Sequence, residues 1–215
     1  MSARPSTDRQ RPFRTSVGIE GPCCAGKTTL SRGLIAELSR LTISHVQCYA
    51  DHVGGGRFLP RAVPDTAQED RDGLEVLLTI EADRTLRAKA DMSDLVLIDR
   101  SVYTLLAHRR ALERVTPLRC FTTAQSVIAA SGAPLWPDLV IYLDVPQDAV
   151  HDRNRGKFPA GSIFIDAQFN AGVRAFFADL AERGDQDVLW LDATLDRTKL
   201  IDLAQTRIEE LLSDS

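Results

Sequence analysis

A three-layer α/β/α sandwich on a five-stranded parallel sheet is the fold this sequence predicts, and three observations carry the prediction. Short runs such as "DLVLIDR" (94–100) and "LVIYLDV" (139–145) are apolar at consecutive positions, as in parallel strands covered on both faces. The stretches between the strand runs place leucines and alanines at helical spacing. The first three strand runs end in a glycine loop or a charged residue, where an open parallel sheet gathers its ligand-binding groups. Strands that alternate with helices in this way lie parallel, with helices on both faces.

The elements follow in order. Residues 1–14 hold four Arg and two Pro with little to bury, and read as a disordered tail. Order is expected from "TSVGIE" (15–20), a β-branched run that enters the loop "GPCCAGKTT". Leu30, Leu34, Leu38 and Leu41 then predict a helix over 27–41, and "ISHVQCY" (43–49) a second strand. The glycine- and proline-rich stretch 51–66 has no period and reads as a loop. A helix is expected from Leu74 to about Ala90, the strand 94–100 next, and a helix over 102–114. After the turn "APLWPD" comes the strand 139–145, with Pro146 suited to the first turn of a helix. "RNRGKFPAGS" (153–162) interrupts that helix, which resumes through "FIDAQFNAGVRAFFADLAER". The strand "VLWLDA" (188–193) and a closing helix complete one domain over 15–215.

Composition narrows the function. A net charge of -4 and a pI near 5.6 argue against nucleic-acid or anionic-membrane surfaces, so any bound anion needs a local positive cluster. No apolar run approaches a membrane span and no signal-like core opens the chain, which suggests a cytoplasmic protein. Cys23, Cys24, Cys48 and Cys120 form no C-x-x-C pair, and the four His fall at no zinc spacing.

Gly21, Gly26, Lys27 and Thr28 complete G-x-x-x-x-G-K-[ST] between a strand and a helix. Glycines let the backbone of Gly21–Thr29 curl until its N–H groups, those of Ala25 and Thr29 included, point at an anion beside a helix N-terminus. Lys27 can reach the β- and γ-phosphates of a nucleotide, and the Thr28 hydroxyl suits magnesium. The two cysteines are tolerated there rather than required. A helix N-terminus and a nearby lysine would lower their thiol pKa.

Asp99 stands where phosphate-loop proteins place a second magnesium-directed carboxylate, and Asp51 closes the second strand. Arg153, Arg155 and Lys157, flanked by Gly156 and Gly161, suit a basic lid over phosphates at about 153–162.

Four stretches in order, "IEGPCCAGKTTL", "LLTIEADR", "LVLIDRSVY" and "DLVIYLDVP…DRNRGKF…FIDAQFNAGVRAFF", resemble the thymidylate kinase family of P-loop nucleoside and nucleotide kinases. The resemblance implies that Lys27 and Thr28 hold ATP phosphates and magnesium, with Asp99 assisting the metal. It implies that Arg100 clamps the acceptor's phosphate, that Arg84 and, more loosely, Arg57 meet the acceptor, and that Arg153, Arg155 and Lys157 form the lid. Ala193, in "LDAT", would lie near the adenine. Similar enzymes are often dimers through helices beside the sheet, and no residue here singles out such an interface.

This chain also departs from the pattern. The loop has no acidic residue, and Ser101, Thr104, His108 and Arg109 replace the family's thymine-pocket residues. "DRSVY" resembles the Glu-Arg-Ser segment of deoxynucleoside kinases, in which a carboxylate at the end of the second strand serves as base, a role open to Asp51. A phosphorylated acceptor would use the arginines Arg57, Arg84 and Arg100. A hydroxyl acceptor, whether nucleoside, sugar or specialised metabolite, would need Asp51. A nucleotide-dependent switch ATPase is the rival from another class, and the missing N-K-x-D signature weighs against a GTP switch.

Overall fold

The structure, a computed structural model, describes residues 12–90 and 92–214. Five parallel strands, β1 (Phe13–Glu20), β2 (Ile43–Val46), β3 (Ser93–Asp99), β4 (Leu139–Asp144) and β5 (Asp187–Asp192), form one sheet in the order β2-β3-β1-β4-β5. The helices are α1 (Lys27–Glu37), α2 (Tyr49–His52), α3 (Ala67–Ala88), α4 (Val102–Val115), α5 (Phe121–Ser131), α6 (Gln147–Asn154), α7 (Ala167–Glu182) and α8 (Arg197–Ser213).

Strand alternation divides the core. Val17 and Ile19 of β1, Leu95 and Leu97 of β3 and Leu139, Ile141 and Leu143 of β4 pack against Leu30 and Leu34 of α1 and Ile201, Ala204 and Ile208 of α8. Val140 and Tyr142 point the other way, into a cluster shared with α4, α5 and α7. Gly172 of α7 permits a close helix contact there, since a Cβ would sit 2.7 Å from Ala111 Cα in α4. The three layers and the parallel sheet are as expected.

Boundaries moved for identifiable reasons. Residues 1–11 of the expected tail lie outside the described residues, but Phe13 and Arg14 belong to β1. Phe13 is buried with Val46, Ala88, Val96, Ile98 and Leu135, and pairs with Ser93. Helix α1 closes earlier than read, at Leu38. Strand β2 stops at Val46, and Cys48 begins the short α2 inside the expected strand and loop. Helix α3 begins seven residues before Leu74, because Thr66 accepts from the Glu69 N–H at 3.1 Å and caps it. Helix α5 had no counterpart in the periodicity reading.

Candidate active site

Order β2-β3-β1-β4-β5 places β1 centrally, so the loop after Glu20 opens beside the carboxyl ends of β3 and β4. The loop turns through positive φ at Gly21 (136°), Cys24 (64°) and Gly26 (101°). A Cβ on Gly21 would stand 2.7 Å from the Leu143 carbonyl oxygen, so glycine is sterically required there. No side chain caps α1 after Gly26, which leaves its first N–H groups for an anion.

Lys27 is buried and folds back over this loop, donating to the carbonyls of Gly21 (2.9 Å) and Pro22 (2.6 Å). Burial and the facing Arg100 guanidinium bring its pKa down to about 8, against Cys23, Asp99 and Glu20, which favour the charged form. The Thr28 hydroxyl donates to Asp99 Oδ2 at 3.0 Å, joining the start of α1 to the end of β3. The two oxygen-bearing side chains expected at a magnesium ion therefore stand together.

Arg100 follows Asp99 in the left-handed region, at φ 65°. Its N–H extends the ladder to the Ile19 carbonyl (3.1 Å), and its Nη2 donates to Cys23 Sγ at 3.4 Å, so its guanidinium faces the loop. Two buried charged residues brace this joint. Arg84 donates through Nη2 to the carbonyls of Asp99 (3.1 Å) and Arg100 (2.6 Å) and through Nε to that of Gln47 (3.0 Å). It pairs with Glu81, and its guanidinium lies 4.0 Å from the centre of the Tyr49 ring. Glu20, 1% exposed, accepts from the Ser101 N–H and hydroxyl, both at 2.7 Å, and from the Thr104 hydroxyl at 2.5 Å.

On the other side of the loop, Arg153 at the end of α6 donates to the Ala193 carbonyl at 2.9 Å. This ties the expected lid to the segment after β5. Arg155 turns left-handed, and Gly156 and Gly161 also take positive φ, so the segment bends sharply at these points. Lys157 Nζ rests 5.5 Å from the centre of the Phe158 ring.

No family model matches the chain. Among curated proteins it is similar to the thymidylate kinase of Leuconostoc mesenteroides subsp. mesenteroides, 26% identical over 92% of this chain and 96% of that one. It is also similar to the thymidylate kinase of Dehalococcoides mccartyi, 29% identical over 93% and 97%. Among solved structures, deoxyadenosine kinase from M. mycoides with bound dATP superposes with a TM-score of 0.68 at 16% identity, covering 91% of this chain and 99% of that one. The same enzyme with bound dCTP gives 0.68 at 15% identity over the same shares. Along nearly its whole length the chain is similar to two thymidylate kinases, and its fold is that of the deoxyadenosine kinase structures.

The structure places the remaining expected residues unevenly. Arg84, read as meeting the acceptor, is 1% exposed, and its partners are backbone carbonyls, Glu81 and Tyr49. It is an internal brace of the Asp99–Arg100 joint. Arg109 is likewise internal, paired with Asp70 at 3.3 Å and bonded to the Leu105 carbonyl, so it ties α4 to α3. Thr104 gives its hydroxyl to Glu20. His108 donates from Nε2 to the Ala62 carbonyl at 2.7 Å and packs edge-on against Phe169. Burial, with Arg109 and Arg100 nearby, pushes it down to about 4, so it is neutral at pH 7. Arg57 is exposed in a 3-10 turn, 4.7 Å from the Phe58 ring. Asp51, in α2, accepts from Cys48 Sγ at 3.2 Å.

The expected lowering of the loop thiols does not hold for Cys24. Burial and the adjacent Cys23 raise its pKa, against the pull of Lys157, Lys27 and Arg100. Sequence reasoning passed over Glu20. The available signal was an acid closing the central strand "FRTSVGIE" directly before Gly21, on the face that alternation turns toward α4.

Proposed function

We propose that this protein is an ATP- and magnesium-dependent phosphotransferase that moves the γ-phosphoryl of ATP to a nucleoside monophosphate. The observation that carries the reading is the Thr28–Asp99 hydrogen bond beside a glycine loop holding a buried lysine. Hydroxyl and carboxylate are the hard oxygen donors that magnesium takes, and their meeting at 3.0 Å fits that ion. When bound, the metal would neutralise charge on the phosphates. Lys27 exchanges two loop carbonyls for phosphate oxygens. Arg100, facing the same loop, answers the charge that builds up during transfer, and the Arg153–Lys157 segment excludes water. The names of the whole-length relatives support a nucleotide acceptor.

A second reading, transfer to a hydroxyl of a nucleoside or another alcohol, is favoured by one observation. Arg84 is spent inside the fold, which leaves Arg57 and Arg100 from the arginines counted toward an acceptor phosphate. Asp51 would then act as base. Because ATP and nucleotides are cytoplasmic metabolites, we place the protein in the cytoplasm. Among the described residues no helix is long and apolar enough to cross a membrane.

The test is ADP release from ATP and magnesium across nucleosides and their monophosphates. Stimulation by a monophosphate supports the first reading, and stimulation by nucleosides alone moves Asp51 into catalysis. Steady acceptor-free hydrolysis with no stimulation would sink both.

A further inference from the structure

Arg100 is a non-glycine residue in the left-handed region, a conformation that persists only where its surroundings over-determine it. The bonds around it show what does so. Arg84 takes the carbonyls of Asp99 and Arg100 from one side. From the other side, Glu20 Oε1 takes both the N–H and the hydroxyl of Ser101, the residue next to Arg100. The Ser101 oxygen in turn accepts from the Tyr103 N–H at 3.2 Å and caps α4, while Glu20 Oε2 takes the Thr104 hydroxyl one turn along. Glu20 therefore fixes the first turn of α4, and with it the direction in which Arg100 leaves β3. Strand β1 is shaped for this contact: a Cβ on Gly18 would lie 3.3 Å from Ser101 Cβ, tighter than ordinary packing.

We infer that Glu20 is a positioning residue for phosphoryl transfer, acting through Ser101 to hold the Arg100 guanidinium against the glycine loop. The inference rests on the phosphotransferase reading above, and it assigns Glu20 no contact with substrate. A carboxylate is not needed for this role, because a glutamine oxygen can accept the same two bonds from Ser101.

The test is a double-mutant cycle on turnover, together with crystal structures of the variants. We expect Glu20→Ala to lower kcat by about a hundredfold, with the affinity for ATP within about threefold of wild type. Glu20→Gln should recover most of that loss. Adding Glu20→Ala to Arg100→Ala should cost less than about threefold more than Arg100→Ala alone, because the two act as one unit. In crystals of Glu20→Ala, Arg100 should leave the left-handed region and its Cys23 contact. A Glu20→Gln variant as inactive as Glu20→Ala, multiplying effects in the cycle, or an unmoved Arg100 would each overturn the inference. If wild-type protein transfers no phosphoryl group, the functional reading fails by itself, and the Arg100 conformation in the variant crystals still decides the role of Glu20.

Discussion

Nζ of Lys27 lies 2.6 Å from the carbonyl oxygen of Pro22, five residues earlier in the same loop. The ammonium bridges the loop from inside, at the cost of burying a cation that Arg100 also repels. Replacing Lys27 by alanine should reduce turnover on the order of a hundred- to a thousandfold. Near-wild-type kcat in that variant would remove the loop from the active site.

The same burial gives a pH signature. Between pH 8 and 10.5 the unfolded chain keeps the Lys27 proton while the folded chain has released it, so this group adds stability as pH rises through that window. Urea unfolding at pH 7.5 and 9.5 should show wild type gaining about 2 kcal/mol relative to Lys27→Met. Phosphate oxygens favour the charged amine, so ATP binding near pH 8.5 should take up protons, seen as a buffer-dependent heat that Lys27→Met lacks.

Thr28 and Asp99 should act as a pair on magnesium and not on the nucleotide alone. Asp99→Asn is expected to weaken ATP binding in magnesium at least about tenfold while leaving metal-free affinity nearly unchanged. Titrations with and without the metal check this, and equal losses in both would separate Asp99 from the ion.

Arg84→Met should be a stability variant first. It leaves Glu81 buried without its cation, a change that costs about 3–5 kcal/mol. Denaturant midpoints should fall accordingly, and a second change, Glu81→Gln, should restore part of the loss. A variant of unchanged stability with only a raised acceptor KM would return Arg84 to the acceptor, as the sequence resemblance implied.

Two loop glycines should differ. At Gly26 a Cβ meets nothing within 4 Å, so Gly26→Ala carries only the left-handed penalty of about 1 kcal/mol. At Gly21 the added atom also strikes the Leu143 carbonyl at 2.7 Å, and Gly21→Ala should lower the melting temperature clearly more.

The sequence carried the strands, the layers and the phosphate loop because buried parallel strands and a strand–loop–helix motif are local patterns. Thr28 and Asp99 were legible as oxygen-bearing side chains at the loop and a strand end, and the sheet order brings them together. What stayed hidden depends on packing between distant segments. Nothing local says that Arg84 turns inward under the end of β3 or that Arg109 finds Asp70. Thr66 followed three residues later by Glu69 did announce the start of α3, a capping signal that the leucine period alone overlooked. Helix α5 went unread in the short stretch "FTTAQSVIAAS", whose fully buried positions are Ala124 and Ile128, too few to set a period.

The bonds that build the site cross long stretches of chain: Thr28 to Asp99 spans 71 positions, and Glu20 to Ser101 spans 81. During synthesis the glycine loop therefore leaves the ribosome several seconds before the residues that complete it, at roughly 5–20 residues per second. Until β3 docks beside β1, a nascent chain has the glycine loop without Asp99 and Arg100 beside it. Nucleotide capture on translating ribosomes would then report the joining of β1 and β3, and a cell rich in ATP would favour chains that have completed this step.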